Sequence, residues 1–544
     1  MKNLLFLFLA FPFFSCSQKE KVDLLVYNGT IYTVDSSFAT AEAMTVKDGK
    51  VIEVGKTADL EKKYDAKEKL DALGKFIYPG FIDAHAHFVG YGQSLFTVNL
   101  YDSKNMDEVV QRVKDFESAH PDEYWIRGRG WDQNKFPGKE FPDNTKLNEL
   151  FPNKPVLLGR VDGHASIANQ KALDMAGIKV GDTIAGGFIE VKNGKLTGIL
   201  IDNAVSLVAS KIPATSISDY EKWFDAAQKN CFGVGLTTIE DCGLDYNTIL
   251  LIDSFQKIGK LKMRIYAMLS DNKKNFDFGF TNGKIKTDHL NVCAFKFYAD
   301  GALGSRGACL LEPYSDEHGW FGYLLSSIKH YDSAAKLVYE KGWQMCTHAI
   351  GDSGNRMILN VYAKYLKGKN DLRWRVEHAQ VINENDFKLF GEYSIIPSVQ
   401  PTHATSDMYW AGDRLGPERV KGAYAYKQLL QQNGWIPLGT DFPVESISPF
   451  KTFYAAVVRK DAKGWPEGGY QMENALTREE TLKGMTIWAA KANFEENEKG
   501  SLEKGKFADF VILDADLMKE DPEKLLSVSV LKTFLGGEKV YEKK

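Results

Sequence analysis

The 544-residue sequence has few cysteines, and they show none of the spacings at which cysteines act together. Five follow Cys16 without forming a CxxC pair, at positions 231, 242, 293, 309 and 346. An odd number without paired spacing argues against a zinc-ribbon site and against a framework of disulfides. Most of these cysteines are therefore expected to be small residues of the core.

An excess of charge of one sign is also missing. The chain carries 68 lysines and arginines against 72 aspartates and glutamates, a formal net charge of -4 at pH 7. No run of like charge is long enough for a basic or acidic tail, so the charge pattern does not indicate a nucleic-acid partner. With no repeat of solenoid length and 44% hydrophobic residues, we expect a compact chain with a large core and a small-molecule ligand.

The first residues have the layout of a secretory signal. A positive charge precedes the apolar run from Leu4 to Phe14, which is too short for a permanent transmembrane helix, and the chain turns polar at Ser15. Phe-Phe-Ser-Cys resembles a bacterial lipobox, in which Cys16 becomes the lipidated first residue of the mature protein. We expect residues 1–16 to direct export, giving a membrane lipoprotein in the periplasm or at the cell surface. A soluble secreted protein and an uncleaved cytosolic start are the alternatives.

Both ends of the remaining chain have β patterns. Short apolar stretches from residue 22 to residue 55 alternate with turn signals, and Asp48-Gly49 is typical of a tight hairpin. Strand and turn patterns return from residue 500 onward. One small β domain built from both ends of the chain is therefore predicted.

The middle of the chain contains eight short apolar runs, mostly separated by helical patterns. They are KFIYPGFIDAH, GLTTIEDCG, MRIYAML, CAFKFYADG, WQMCTHAIGD, WRVEHAQ, SIIPSVQPTH and WIPLGTDFP. Runs that are apolar on both faces favour a parallel sheet covered by helices, and eight such units match an α/β fold of the (β/α)8 barrel type. The surplus between the first two runs, about residues 90–229, predicts an inserted subdomain. A doubly wound sheet is the alternative, but it needs a glycine fingerprint after its first strand, which the sequence lacks.

Polar residues suited to bind a metal occur on five of the predicted strands. In FIDAHAHFVG, His85 and His87 are two residues apart and so point to the same side of a strand. The other four lie in or at the end of later strands: Lys296 in the fourth, His348 in the fifth, His378 in the sixth and Asp441 in the eighth. Because the C-terminal ends of barrel strands share one face, all six are expected to converge. Imidazole and carboxylate are ligands of Zn²⁺ and similar ions, which lower the pKa of a bound water to about 7.

Lys296 is unusual in such a set because an ammonium group has no lone pair and repels a cation. Burial beside a metal favours the neutral amine, which can react with carbon dioxide. The resulting carbamate has two oxygens and can bridge two metals. Whether the site holds one divalent ion or two, and whether Lys296 is N-carboxylated, stays open at this point.

This combination of strand-end residues, the split β domain and the closing GSLEKGKFADFVILD resembles the amidohydrolase superfamily. Within it, AFKFYADGALGSRGA, GWQMCTHAIGD and the RVDGH segment at 160–164 resemble the YtcJ-like group, amidohydrolase family 3, which includes N-substituted formamide deformylase. The resemblance covers about residues 22 to 542. It implies a distorted (β/α)8 barrel at 79–495, a β-sandwich from 22–78 and 496–544, and metal-assisted hydrolysis of an amide or related C–N bond other than a peptide bond.

The resemblance also assigns roles to the six residues. It implies that His85 and His87 hold one metal, that His348 and His378 hold a second, and that carboxylated Lys296 bridges them. Asp441 would ligate the first metal, accept a proton from the attacking water and pass it to the departing nitrogen. Zinc is the expected metal.

Further polar residues are candidates for contact with the substrate, since arginine can clamp a carboxylate and an aromatic ring can stack on an apolar group. They are Trp131, Asp132, Arg160, Asp162, His164, Asp300, Arg306 and His403. Salt bridges or turns that stabilise loops explain each of them equally well.

Two other functions fit the same pattern. A hydrolase of this architecture could cleave an ester, lactone or phosphoester. Alternatively, an enzyme fold that has lost its catalytic activity could serve as a binding lipoprotein. For partners we expect a small-molecule substrate, no nucleic acid, membrane contact only through a lipid on Cys16, and a homodimer as one compatible assembly.

Overall fold

The computed structural model describes residues 19–544. The predicted signal segment and the lipidation of Cys16 lie outside these residues. Among the described residues, none of the helices combines the length and apolarity that a bilayer span requires.

The strands of the described residues are numbered in chain order. They are β1 Glu20–Tyr27, β2 Thr30–Tyr32, β3 Thr40–Ala41, β4 Ala43–Lys47, β5 Lys50–Gly55, β6 Tyr64–Asp71, β7 Phe76–Pro79, β8 Phe81–Ala86, β9 Val98–Asn99, β10 Ile126–Trp131, β11 Val156–Arg160, β12 Ala165–Ala168, β13 Gly187–Lys192, β14 Lys195–Asp202, β15 Leu236–Leu244, β16 Arg264–Ser270, β17 Ile285–Lys286, β18 Leu290–Tyr298, β19 Gln344–Ala349, β20 Arg375–His378, β21 Ile396–Ser398, β22 Phe510–Leu513, β23 Val530–Leu535 and β24 Glu538–Glu542.

The α-helices of the same residues are numbered in the same way. They are α1 Thr57–Lys63, α2 Phe88–Ser94, α3 Met106–Ala119, α4 Thr145–Leu150, α5 Gln170–Ala176, α6 Asn203–Ala209, α7 Ile217–Gly233, α8 Tyr246–Lys257, α9 Lys273–Asn282, α10 Ile328–Glu340, α11 Asp352–Leu366, α12 Phe387–Glu392, α13 Pro401–Asp407, α14 Ala411–Arg419, α15 Tyr426–Asn433, α16 Pro449–Val458, α17 Arg478–Gly484 and α18 Ile487–Ala492. Short 3-10 turns occur at Gln133–Lys135, Val420–Gly422, Met472–Asn474 and Pro522–Ser527.

The central sheet is a parallel barrel. Its strands follow the order β8, β15, β16, β18, β19, β20 and β21, each paired in parallel with the next. Strands β8, β19 and β20 are buried along their whole length, as apolar runs covered by helices should be. The sequence therefore predicted the fold class correctly.

The eighth segment closes the barrel by individual hydrogen bonds rather than as a regular strand. Gly439 N donates to Val399 O at 3.0 Å on one side, and Ala84 N donates to Leu438 O at 3.2 Å on the other. Asp83 reinforces the closure, because its carboxylate accepts hydrogen bonds from Thr440 N at 2.9 Å and from Thr440 Oγ1 at 2.7 Å. This contact fixes the end of the eighth segment beside the end of β8.

Strands from both ends of the chain build the β-sandwich. One sheet has the order β5, β4, β1, β6; the other has the order β24, β23, β22, β7, β2, β3, in which β22 pairs with β7. The two sheets share a core that includes Val26, Met44, Ile77 and Phe510. Asp48 and Gly49 both have positive φ at the turn between β4 and β5, which is the hairpin that the sequence predicted. The exact domain boundaries remain predictions.

The inserted subdomain lies between β8 and β15. Its sheet has the order β13, β14, β12, β11, β10, β9 and carries its own apolar core, which includes Val98, Val113, Trp131 and Ile199. The loops that follow β10 and β11 reach the C-terminal face of the barrel and form one wall of its cavity. Cys231, Cys242, Cys293 and Cys346 are buried and have free thiols, as small core residues should.

Candidate metal centre

His85 and His87 lie at the end of β8 and point toward one place. The His85 side chain is fully buried, and its Nδ1 lies 2.6 Å from Glu377 Oε2. That hydrogen bond uses one ring nitrogen and leaves Nε2 to face the interior of the site. The His87 side chain is 28% exposed, and its Nε2 lies 3.3 Å from Asp441 Oδ1.

Asp441 follows the eighth barrel segment and lies beside both histidines. Its backbone N donates to His85 O at 2.7 Å, and its Oδ1 lies 3.8 Å from His85 Nε2. The second carboxylate oxygen, Oδ2, lies 3.1 Å from His403 Nε2. Asp441 has φ of +63° and His378 has φ of +71°, conformations that are strained for residues other than glycine. Such strain is concentrated at functional sites.

His348 and His378 lie beside the two histidines of β8. We call the group of His85, His87, His348 and His378 the ring of histidines. Their ring centroids lie 4.6 Å apart, and the His378 ring is also 4.6 Å from that of His85. His378 Nδ1 lies 2.7 Å from Gln400 Oε1, which leaves Nε2 as the nitrogen available to a ligand. Burial lowers the pKa of both His348 and His378 well below the ordinary value, so both rings are neutral and keep a lone pair.

Lys296 is fully buried among these groups, and its Nζ has no hydrogen-bond partner. Burial lowers its pKa, but nearby groups, including Tyr298, Glu377 and Asp441, raise the pKa by more, so the net shift is upward. The nearby Glu377 and Asp441 favour the ammonium form, whereas a metal ion beside Lys296 would favour the neutral amine. The neutral lysine was expected for burial beside a metal, and it stays a prediction.

Three buried atoms of the site without hydrogen-bond partners indicate whether these residues fit a metal ion. His85 Nε2, Lys296 Nζ and Asp441 Oδ1 are all buried without a hydrogen-bond partner in the described residues. Buried polar atoms are almost always paired, so three unpaired atoms on side chains that line one cavity indicate a missing partner. Ligand atoms of His85, His87 and Asp441 lie within 4.8 Å of one another, and so do those of His378, His403 and Asp441. Nitrogen and carboxylate donors in this arrangement fit a divalent ion such as Zn²⁺.

The sequence did not reveal the residues that support this ring. Glu377, hydrogen-bonded to His85, is held by Arg375 Nε at 2.7 Å, and Arg375 Nη1 lies 2.5 Å from Glu240. Burial opposes ionisation of Glu377, but Arg375 and His85 lower its pKa below the ordinary value. The only signal was the alternation of Arg375 and Glu377 in WRVEH, which places both side chains inside the barrel.

A cavity of about 1020 Å³ opens over the ring of histidines. Five of the eight predicted substrate-binding residues line it: Asp132, Arg160, Asp162, His164 and His403. Arg160 is already engaged, because its guanidinium lies 2.5 Å from Asp132 and 2.5 Å from Asp162. His403 lies close enough to Asp441 and His378 to share a ligand with them.

The other three predicted substrate-binding residues do not line the cavity. Trp131 is 1% exposed in the core of the inserted subdomain, where its Nε1 donates to Leu158 O at 2.7 Å. Asp300 is buried and accepts backbone hydrogen bonds from Ile350 and Gly351, so it shapes the loop after β19. Arg306 pairs with Asp316 at 3.0 Å. Their assignment to substrate contact is therefore corrected: all three stabilise the fold around the site.

A family model described as "Amidohydrolase family" matches residues 68–541, most of the chain. The chain belongs to the amidohydrolase family. The resemblance drawn from the strand-end residues is thereby confirmed.

Three named relatives of this amidohydrolase match it over nearly its whole length. "Protein LONG AFTER FAR-RED 3" of Arabidopsis thaliana is 33% identical, covering 95% of this chain and 91% of its own. "Putative amidohydrolase YtcJ" of Bacillus subtilis is 31% identical, covering 95% and 99%. "N-substituted formamide deformylase" of Arthrobacter pascens is 26% identical, covering 96% and 98%.

A solved structure has the same architecture. It is described as an uncharacterized metal-dependent hydrolase from Pyrococcus horikoshii, with a TM-score of 0.75 and 26% identity, and the match covers 92% of this amidohydrolase and 99% of that chain. The description of that structure as a metal-dependent hydrolase agrees with the candidate metal site at the ring of histidines.

Proposed function

We propose that this protein is an exported, metal-dependent amidohydrolase that hydrolyses the C–N bond of an amide, N-acyl or N-formyl group in a small molecule. The observation that carries the proposal is a set of three unpaired buried atoms, His85 Nε2, Lys296 Nζ and Asp441 Oδ1, whose side chains line the same cavity as His87, His348 and His378. The name of the relative from Arthrobacter pascens supports a C–N bond as the target.

The ligand roles in this proposal are those that the family resemblance implies. His85, His87 and Asp441 would hold one divalent ion, and His348 and His378 would hold a second. Lys296 lies beside these groups and, once N-carboxylated, would offer two oxygens to both ions. When bound, such an ion polarises a carbonyl group and makes water more acidic, and zinc is the ion that this donor set fits best.

Asp441 is the residue that moves the proton in this proposal. Its Oδ1 has no hydrogen-bond partner and faces the interior, while Oδ2 is fixed by His403. A carboxylate held in this way can accept a proton from the attacking water at Oδ1 and deliver it to the nitrogen of the breaking bond. Because an amide anion is a very poor leaving group, this protonation is required for C–N cleavage.

Export is proposed from the sequence of residues 1–16. Lipidation of Cys16 would hold the enzyme on a membrane surface outside the cytoplasm. Fractionation of bacterial cells that express the full chain tests this: wild-type protein should sediment with membranes, and a Cys16→Ser variant should not. Retention of both proteins in the cytosol would remove export from the proposal.

A substrate panel tests the reaction. Metal-loaded protein is assayed with N-formyl, N-acyl and ester compounds that share one apolar group, so that only the scissile bond varies. We expect turnover of amides. Turnover of esters with every amide left intact would overturn the assignment to C–N bonds, and no hydrolysis at all would overturn the assignment as a hydrolase.

A further inference from the structure

The wall that the inserted subdomain contributes to the cavity carries an arginine without a carboxylate partner. Arg129, on β10, lines the cavity together with Arg160 and His164. Its Nε is buried without a hydrogen-bond partner, and its Nη2 donates to Val161 O at 3.2 Å. The neighbouring Tyr101 hydroxyl is neutral and is also bonded to the Pro443 carbonyl. No ion pair of Arg129 occurs within residues 19–544.

The acidic residues of the same wall are already paired with other cations. Asp102 lies 2.9 Å from Lys135 Nζ, and both Asp132 and Asp162 lie 2.5 Å from the guanidinium of Arg160. None of these three carboxylates forms an ion pair with Arg129 itself. Since a half-buried guanidinium is costly without an anion, a ligand that brings one would be stabilised there.

The carboxylates across the cavity do not compete for Arg129. Glu445 is held by His403 at 3.3 Å and accepts a hydrogen bond from Ser406 at 2.5 Å. Asp407 accepts a hydrogen bond from Tyr424 at 2.9 Å, and burial raises its pKa to about 7. Each of these acids is satisfied on its own side.

A short chain of contacts connects Arg129 to the metal centre. A Cβ added at Gly163 would lie 2.9 Å from Arg129 Nη2, so the loop is glycine where the guanidinium passes it. The ring centroid of the next residue, His164, lies 4.9 Å from that of His348, with the two ring planes tilted by 40°. A small molecule can therefore reach Arg129 with one end while its other end lies at the histidines.

We propose that Arg129 binds a carboxylate of the substrate, so that the preferred substrates are amides carrying a carboxylate at the end remote from the scissile bond. This inference rests on the proposed hydrolysis of C–N bonds and adds the class of substrate. The planar guanidinium matches a carboxylate with two parallel hydrogen bonds, which an uncharged amide cannot reproduce.

The test uses pairs of formamides. Each ω-formamido carboxylate of a series of increasing chain length is compared with its primary carboxamide, and kcat/KM is measured for wild type and for Arg129→Met. We expect wild type to prefer the carboxylate at one chain length by roughly ten-fold or more, and Arg129→Met to lose that preference through KM. Arg127→Met is the matched control, since Arg127 is on the same strand but does not line the cavity.

The outcomes separate the two proposals. Equal turnover of the two members of every pair by wild type, or an unchanged preference in Arg129→Met, overturns the carboxylate site while leaving amide hydrolysis intact. If no formamide is turned over, amide hydrolysis fails, and calorimetric binding of the same pairs then tests the site directly. Carboxylate binding that disappears in Arg129→Met supports it, and binding without preference for the carboxylate overturns it. Arg129→Lys, which keeps charge and bulk, guards against misfolding as the cause and should retain an intermediate preference.

Discussion

Glu377 Oε2 lies 2.6 Å from His85 Nδ1, and both side chains are fully buried. This contact fixes the His85 tautomer, because a proton on Nδ1 leaves the lone pair of Nε2 directed into the site. Arg375 in turn holds Glu377, so a buried ionic network inside the barrel orients a ring at its mouth. The proposed metal centre thus depends on residues outside its predicted set of ligands.

The role of Glu377 can be measured through metal affinity. Replacing Glu377 with Gln removes the charge that orients His85, and we expect a roughly 10- to 100-fold weaker zinc affinity in competition with a chelator. Glu384→Gln, an exposed change on the loop after β20, should leave the affinity unaltered. Equal affinity in Glu377→Gln and wild type would show that His85 is positioned by packing alone.

Asp441→Asn tests proton transfer. An amide side chain cannot carry the proton to the leaving nitrogen, so we expect kcat to fall by roughly 100-fold or more. Asp65→Asn on β6 is the control, and circular dichroism checks that both variants are folded. Activity near the wild-type level in Asp441→Asn would remove this residue from the reaction.

The orientation of His164 depends on glycine at position 301. Asp202 Oδ1 lies 2.6 Å from His164 Nδ1, Tyr323 donates to Asp202 Oδ2 at 2.9 Å, and a Cβ at Gly301 would overlap the same carboxylate. We expect Gly301→Ala to lower kcat/KM by about 10- to 100-fold while the metal content is unchanged, because His164 is displaced.

Two further variants interpret that result. Gly412→Ala, where an added Cβ meets nothing within 4 Å, should behave as wild type. Asp202→Asn should reproduce the loss without steric overlap. Full activity in Asp202→Asn would show that the carboxylate does not position His164.

A buried ion pair joins the barrel to the C-terminal strands and gives a prediction for acid stability. Arg264 Nε on β16 lies 2.7 Å from Asp509, just before β22. Burial opposes ionisation of Asp509, but Arg264 lowers its pKa below the ordinary value of 3.8. The stabilisation is therefore complete above that ordinary value and is lost as the pH falls through the lower pKa of the folded state.

Asp509→Asn should remove this pH dependence. At neutral pH the variant leaves Arg264 buried and unpaired, which costs about 3–5 kcal/mol, and the difference from wild type should shrink in acid. Denaturant midpoints measured across the pH range check this. The control is Asp23→Asn, which removes the solvent-accessible ion pair between Asp23 and Lys67. A difference between Asp509→Asn and wild type that does not vary with pH would contradict the assignment.

The sequence predicted the barrel and the convergence of His85, His348 and Asp441 at one face, because short apolar runs ending in polar residues are visible without coordinates. It could not separate Trp131, a core residue, from a cavity residue, since both environments favour an aromatic ring. Arg129 and Asp202 were missed because their contacts are decided by the loops of the inserted subdomain. These contacts join residues far apart in sequence, and no local pattern encodes them.

The most direct test of the metal centre is the metal content of the purified protein after incubation with zinc and removal of unbound ion. Elemental analysis should find one or two ions in each wild-type chain and clearly fewer in His85→Ala. The control His120→Ala should keep the wild-type content, because His120 lies at the end of α3 and is not one of the predicted ligands. Absence of bound metal from the wild-type protein, or an equal content in all three proteins, would contradict the account.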